Sequence, residues 1–510
     1  MQLKFVIRQL VLSCLIVLSI NPPLNSDAAP IPAAFQNIIP LPTVIQPANG
    51  TFSLTASTTI TIQTSALTDI AHYLADRLSP ATGYSFPILI SSANTANSIQ
   101  LTLSTDQTLG NEGYQLNIQP DTINLSANTP AGLFHGIQTI RQLLPPTIEL
   151  NTPQNGRWNV ATGTITDTPR FVWRGFMLDV ARHFFPVSDV KRLIDLLAYY
   201  KLNRLHLHLS DDQGWRIQIN RWPNLTNYGG SSQIGAVGGA YFYTQADYSS
   251  IVQYASSHFI DIIPEIDFPG HSKAALASYP ELSCTGKPIE LSTSSISDAS
   301  SLCISKESTY TFLDNVIAEL SSLTPGPYLH IGGDEATSTT QADYNIFLNK
   351  VQHIASTYHK QLIGWQDIAT ANLSPAAVLQ HWNWNRRSLT INALQQGTLV
   401  IMSPVSLGQR YPGYVSIKTS YQWDPVLQLQ NATENNILGV EAPLWTEIVA
   451  TQADLDRMTF PWLISYAEIG WSARKGKDLD SYLSRLATHG PRLTALGVNF
   501  YRSPEVSWPH

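Results

Sequence analysis

The stretch YLHIGGDEA, residues 328–336, reads as a short buried strand that passes through two glycines into two adjacent carboxylates, Asp334 and Glu335. Neighbouring carboxylates repel, and beside low-dielectric walls they drive each other's pKa values apart. An exposed acidic loop tip is the bland reading of any such pair. This pair, however, ends an apolar strand, and a fold tolerates it there when the two carboxyls have different tasks. Polar residues at the C-terminal end of a buried strand also suit a barrel of parallel strands, whose active sites lie on that rim.

The chain around the pair keeps the rhythm such a barrel needs. From Phe171 onward the strand candidates are FVWRGFMLDV (171–180), RLHLHLS (204–210), FIDIIPEIDF (259–268), PYLHIGG (327–333), QLIGW (361–365), AVLQHW (377–382), TLVIMSP (398–404) and ILGVEAPLW (437–445). Helical patterns lie between most of them. In PVSDVKRLIDLLAYYK (186–201) Ser188 is positioned as an N-cap, and Val190, Leu193, Ile194 and Leu197 share one face. In TQADYSSIVQYASSH (244–258) the Thr244/Asp247 spacing suits a capping box. Eight strands alternating with helices predict an α/β fold, a (β/α)8 TIM barrel catalytic domain over residues 169–510. Ahead of it, runs such as TFSLTASTTITIQT, SIQLTLS and YQLNIQPDTINLSA alternate β-type and polar residues, with helical stretches at LTDIAHYLADRLSPATG and TPAGLFHGIQTIRQLL. Alternation of that kind marks half-buried antiparallel strands. Residues 30–168 are therefore expected to form a small non-catalytic α+β domain with an antiparallel sheet.

A chain of 510 residues, 43% of them hydrophobic, has length and core material for both units. Only 13% are charged, the net charge is −7 and no Lys/Arg-rich run occurs, which excludes nucleic acid and anionic membrane surfaces as partners. Twelve Trp and twenty-one Tyr in so weakly charged a chain suit a neutral ligand such as a sugar. Residues 1–29 carry Lys4 and Arg8, an apolar run from Leu10 to Ile20 and small residues at Ala28 and Ala29. That is a signal-peptide pattern, too short to span a bilayer comfortably, and it predicts a secreted or periplasmic protein. No later apolar run is long enough for a transmembrane helix. Cys14 lies inside the leader, which leaves Cys284 and Cys303 in a Ser-rich region of an exported chain, a pair expected to form one disulfide.

The strand ends gather polar residues. LDVARH, LSDD, EIDFPGH and GGDE put Arg182, Asp211, Asp212, Asp267, His271, Asp334 and Glu335 on one rim, and later strands add Trp365, Trp382, Trp445 and Glu447. An arginine, several carboxylates, a histidine and three tryptophans around a barrel mouth describe a carbohydrate site, because Trp faces stack on pyranose rings and charged groups hold hydroxyls.

Seven segments, RGFMLDVARHFFPV, HLHLSDDQGWR, PEIDFPGH, HIGGDEA, GWQD, QHW and EAPLWTE, occur in this order between about Arg174 and Trp471. Together they resemble the motif series of the family-20 glycoside hydrolases, the β-N-acetylhexosaminidases, and the preceding domain resembles that family's non-catalytic N-terminal domain. The resemblance implies exo-acting removal of terminal N-acetylglucosamine or N-acetylgalactosamine from glycans, with no cofactor and no metal. It also implies retention of configuration, with the substrate's own acetamido oxygen as nucleophile and an oxazolinium intermediate. On that reading Glu335 is the general acid and then base, and Asp334 orients the acetamido group and stabilises its positive charge. Asp211 and His271 form the charged relay behind Glu335, Arg182 holds the 3- and 4-hydroxyls, and Glu447 binds a hydroxyl. Trp365 and Trp382 wall the acetamido pocket, with Trp445 as the platform under the ring. Two roles are open to Asp267: holding the His271 imidazole or capping a loop.

One departure stands out. After the seventh strand the family runs through a tyrosine and an aspartate in a YLD-like segment, whereas here IMSPVS passes directly to LGQRYPGYVSIKTSYQWDP. The acetamido-binding tyrosine and the hydroxyl-binding aspartate are thus expected to be missing, and neither Tyr411 nor Tyr414 sits in the matching motif. Losing one preorganised hydrogen bond of this kind costs ~10²–10³ in rate, so weakened activity is expected. A catalytically impaired sugar-binding relative is the alternative, although retention of Asp334, Glu335, His271 and Asp211 argues against it. A metal-dependent barrel hydrolase is a further one, built on the H-x-H of His206 and His208 with Asp211, His271 and His330.

Overall fold

Eight short segments of the second half close into a parallel barrel: β8 (Trp173–Asp179), β9 (Arg204–His208), β10 (Asp261–Glu265), β11 (Tyr328–His330), β12 (Gln361–Trp365), β13 (Val378–His381), β14 (Leu399–Met402) and β15 (Ile437–Leu444), with β15 returning to β8. All eight expected strands are present. The structure is a computed structural model and describes residues 33–93, 95–297, 299–403 and 412–509. Residues 1–32, which include the expected leader, and the connection at residues 404–411, with Tyr411 in it, therefore lie outside the described residues. Parallel strands covered by helices are buried on both faces, so they read as apolar runs; every residue of β8 is buried.

The barrel is filled in layers, because residues two apart on a strand point the same way. Trp173, Ile263, Ile363, Val378 and Ile401 pack together as an apolar plug. Two residues further along the same strands come Glu265, Trp365, Gln380 and Ser403, all buried. The layer nearer the C-terminal rim is thus polar, and the site stands on it.

Helices hold the strands in place. Between β8 and β9, Val187–Tyr199 buries Val190, Leu193, Ile194 and Leu197 as expected. Its N-cap is Pro186 and not Ser188; Ser188 lies within the first turn and its hydroxyl reaches Asp189 instead. The proline presets the extended φ of the cap position at −67°, which draws the helix start forward of the serine. The helix Gln245–Ser257 starts on the expected capping box, with Thr244 Oγ1 accepting from Asp247 N–H and Asp247 Oδ2 accepting from Thr244 N–H.

The first domain is one seven-stranded sheet, β1 (Val44–Leu54), β2 (Thr59–Ile62), β3 (Ile88–Ile90), β4 (Ser98–Leu103), β5 (Tyr114–Ile118), β6 (Thr122–Ala127) and β7 (Trp158–Asp167), in the order β1-β7-β5-β6-β4-β2-β3. Antiparallel pairing joins β1, β7, β5 and β6, as the alternating pattern requires. Parallel pairing extends the sheet through β4, β2 and β3; the helix Thr68–Thr82 crosses over from β2 to β3, and Pro130–Leu143 links β6 to β7. Residues 132–143 are buried all round, since this helix is covered by its own sheet on one side and by the barrel on the other. Cys284 and Cys303 form the expected disulfide. No helix among the described residues is long and apolar enough to cross a membrane.

Candidate active site

Beyond His330 the chain turns through Gly332 and Gly333 at φ +64° and +93° into Asp334 and Glu335. A Cβ at Gly332 would stand 1.8 Å from Asp267 Oδ1, so only glycine fits that close approach. The same Asp267 oxygen accepts Gly333 N–H at 3.0 Å, while Tyr344 Oη–H donates to Gly333 C=O at 2.5 Å. Glu335 itself has φ +48°, a costly conformation for a side-chain-bearing residue that persists when its surroundings fix it. The turn sends the two carboxylates to different places. Asp334 is 8% exposed and faces inward, whereas the Glu335 side chain is 54% exposed in the mouth.

Their ionisation diverges accordingly. Burial, reinforced by Asp367, Glu265 and Glu335 and opposed by His271, pushes the Asp334 carboxyl up to about 7. The His271 imidazole, with Nε2 3.6 Å from Glu335 Oε2, holds the Glu335 carboxyl below its usual range. Asp334 Oδ1 is buried and has no hydrogen-bond partner among the described residues.

Behind Glu335, the other nitrogen of His271 lies 3.1 Å from Asp211 Oδ1. Asp211 Oδ2 meets Arg182 Nη2 at 2.8 Å and His208 Nε2 at 2.9 Å. Burial works against an ion here, but Arg182, His271 and His208 hold Asp211 well below the carboxylate range. His271 is raised well above an ordinary imidazole, because Asp211 outweighs the cost of burial. The imidazole uses Asp211, so of the two roles open to Asp267 the geometry gives it the loop-holding one. Asp212 also serves the loops: it accepts Lys273 N–H and the hydroxyls of Ser297 and Ser300.

Arg182 adjoins the relay at Asp211. Its guanidinium contacts Asp179 at 3.2 Å, Asp211 at 2.8 Å and Glu447 at 3.7 Å, and lies 4.9 Å over the Trp445 ring. Trp445 is half-buried, with Trp365 beneath it at 5.7 Å between ring centroids. Trp365 is itself buried, its Nε1–H donating to Glu265 Oε1 at 2.8 Å. Half-buried Trp382 donates from Nε1 to Asp367 Oδ2 at 3.2 Å, and Arg386 pairs with the same carboxylate. Every site residue expected from the sequence thus lies on this rim or directly beneath it.

Sequence reading missed Asp179, Glu265, Asp367 and Glu441. Each is a charge within or just after an otherwise apolar strand, and charged residues are almost never fully buried unless paired, which was the available signal. Glu265 accepts from Trp365 and His208, and His206 Nε2 and His330 Nδ1 approach it at 3.0 and 3.1 Å. Glu441 accepts from Trp173 and Gln380 and lies 2.8 Å from His206 Nδ1. The donor atoms of His206, Glu265 and His330 fall within 4.8 Å of one another, as do those of Asp211, Asp212 and His271, so the residues of the metal reading are divided between separate groupings. Glu265 is nonetheless already engaged by two donors, and His208 faces a carboxylate with each ring nitrogen. The H-x-H pair points into the barrel and serves carboxylates there.

Known proteins share this architecture. Residues 171–474 match the model for Glycosyl hydrolase family 20, catalytic domain, and residues 36–168 match Glycosyl hydrolase family 20, domain 2. A beta-N-acetylhexosaminidase of Cellulomonas fimi is 33% identical over 488 residues, covering 92% of this chain and 97% of its own. The solved structure of Streptomyces plicatus N-acetyl-beta-hexosaminidase in complex with Thio-NAglucal superposes with TM-score 0.89 at 45% identity, covering 95% of this chain and 99% of that one. The GH20 beta-N-acetylhexosaminidase from Streptomyces coelicolor A3(2) gives TM-score 0.89 at 44% identity, over 94% of this chain and all (100%) of the other.

Proposed function

The chain belongs to glycosyl hydrolase family 20, and from that premise we propose that it is an exo-acting β-N-acetylhexosaminidase working by acetamido assistance. The buried Oδ1 of Asp334, without a hydrogen-bond partner among the described residues, beside the half-exposed Glu335 supports this reading most. An oxygen so placed accepts the acetamido N–H of a bound N-acetylhexosamine, which turns the amide oxygen toward the anomeric carbon. Protein nucleophiles are then unnecessary, and the two carboxylates need not face each other across the ring.

In the first step the acetamido oxygen bonds to the anomeric carbon as the glycosidic C–O bond breaks, and Glu335 gives its proton to the departing oxygen. Positive charge spreads over the oxazolinium ring beside the Asp334 carboxylate. A water then attacks the same carbon, Glu335 takes its proton, and the ring reopens with configuration retained. In the free protein Glu335 is held ionised and Asp334 is held up to about 7. Bound substrate reverses this order, since the acetamido N–H stabilises the Asp334 anion while the sugar strips water from Glu335. Arg182, fixed among Asp179, Asp211 and Glu447, closes the far end against the 3- and 4-hydroxyls, which restricts cleavage to terminal sugars. Trp445 supplies the platform, and Trp365 and Trp382 the acetamido wall. The leader-like segment 1–29 supports export to a secreted or periplasmic location, with N-acetylhexosamine-bearing glycans as substrate.

The test is hydrolysis of a chromogenic β-N-acetylglucosaminide beside the matching β-glucoside, with a thiazoline analogue of N-acetylglucosamine as inhibitor. Strong inhibition and turnover of the acetamido sugar at least ~10²-fold above the glucoside are expected; comparable turnover of the two sugars overturns the mechanism.

A further inference from the structure

We infer that the relay behind Glu335 continues into the barrel interior as Glu265–His208–Asp211–His271–Glu335, with His208 and Glu265 as positioning residues for the acid–base work of Glu335. This rests on the proposed function and extends it below the rim.

His208 on β9 is fully buried. Its Nδ1 lies 2.5 Å from Glu265 Oε2 and its Nε2 2.9 Å from Asp211 Oδ2. An imidazole between two carboxylates donates from both nitrogens and so carries a charge. From Asp211 Oδ1 the chain passes to His271 Nδ1 at 3.1 Å, and from His271 Nε2 to Glu335 at 3.6 Å. Carboxylates and imidazoles alternate along the whole line, which is how buried ions are compensated. Glu265 is anchored from the far side by Trp365 Nε1–H at 2.8 Å, with His206 Nε2 3.0 Å away, and His206 continues to Glu441 at 2.8 Å.

The consequence concerns Asp211. One oxygen serves His208 and Arg182 and the other serves His271 and Asp212 N–H, so the carboxylate cannot rotate without breaking the inner bond. That fixes His271 with Nδ1–H on Asp211 and Nε2–H toward Glu335. The charged groups facing His208 are Glu265 on β10, Asp211 after its own strand, Asp179 on β8 and Asp267 after β10. Against burial, Glu265 and Asp211 keep His208 raised well above an ordinary imidazole.

His208→Gln removes the buried cation while leaving a side chain able to donate to Asp211. Losing a positive charge raises the pKa values of nearby carboxyls, so both limbs of the kcat/KM–pH profile should move to higher pH by roughly 0.5–1 unit. The kcat loss should be greater for substrates with poor leaving groups, which need the proton. His206→Gln, two links further from Asp211, should move the limbs less than half as far. Limbs that stay in place while activity falls uniformly overturn the proposal, as do equal shifts in the two variants. Independently of activity, protein with 15N-labelled histidine should show the His208 imidazole, assigned by its absence in His208→Gln, still doubly protonated at about pH 8, and a singly protonated His208 overturns the inner chain. This spectrum needs no turnover, so a protein without hexosaminidase activity would refute the proposed function and leave the relay separately tested.

Discussion

Asp334 and Glu335 are neighbours in sequence and opposites in surroundings, and each difference predicts a different mutant. On the proposed mechanism, Glu335→Gln removes the proton donor but leaves Asp334 to aim the acetamido group. Turnover should therefore fall most on substrates with poor leaving groups and least on activated aryl glycosides. Asp334→Asn should depress every substrate alike, because orientation and charge stabilisation are needed whatever leaves. Full activity of Glu335→Gln on natural disaccharides would sink the acid assignment. Stability should move the other way. Burial raises the Asp334 carboxyl from 3.8 to about 7, so between those values the native protein binds more protons than the unfolded chain, and stability falls as pH rises. Asparagine removes this dependence. Asp334→Asn should match wild type near pH 4 and exceed it by about 4 kcal/mol near pH 8 in chemical denaturation. An equal difference at both pH values would show that no ionisation is involved.

At the scale of elements, the turn after β11 is the part most narrowly defined by its sequence. Gly332 at φ +64° leaves a Cβ 1.8 Å from Asp267 Oδ1, and that oxygen holds Gly333 N–H. Gly332→Ala should push Asp267 aside and misplace the Asp334–Glu335 pair by a fraction of an ångström or more. A shift near 1 Å costs ~10²-fold in rate. The expected result is a folded protein with kcat/KM reduced to that extent and an unchanged circular dichroism spectrum; wild-type kinetics would show that the turn relaxes without cost. All eight barrel strands were legible, because parallel strands covered on both faces read as apolar runs with polar ends. The Thr244 capping box was legible because both partners lie within one turn. Ser188 misled because a cap-forming residue type two places inside the true start looks the same as one at the start. The parallel half of the first sheet was hidden, since β2 and β4 alternate like antiparallel strands and only the pairing partner distinguishes the two. Glu265 and Glu441 were hidden for a related reason. Their strands show which side they face, but whether that side meets oil or a ring of imidazoles depends on residues contributed by other strands.

At the scale of the whole molecule, the two domains are joined by ions buried at the N-terminal end of the barrel, away from the chemistry. Glu112, just before β5, receives Arg174 Nη2 and Nη1 at 2.6 and 3.0 Å and Asn203 Nδ2 at 3.0 Å, with His135 Nε2 3.3 Å away. Arg174 lies at the start of the first barrel strand, β8, and its guanidinium also lies 4.9 Å over the Trp471 ring. Nearby, Lys201 Nζ meets Asp167 Oδ2 at 3.0 Å, and Tyr114 Oη–H donates to the same oxygen. Residues at this end of a barrel serve stability, while those at the other rim serve chemistry. Glu112→Gln leaves the buried Arg174 without its anion, and breaking such a pair costs about 3 kcal/mol or more. The loss should appear in chemical denaturation, with kcat/KM at low temperature unchanged. Its pH dependence gives the sharper check. Against burial, Arg174 and His135 hold Glu112 far below its usual 4.5, so its stabilisation is fully present above that value and is lost as the carboxylate is protonated at lower pH. Wild type should therefore lead Glu112→Gln by a constant margin from neutral pH down to about 4.5, and the margin should shrink steadily below it. A margin that persists unchanged into strong acid would mean that the side chain contributes by packing, and that the domains are not joined through this charge.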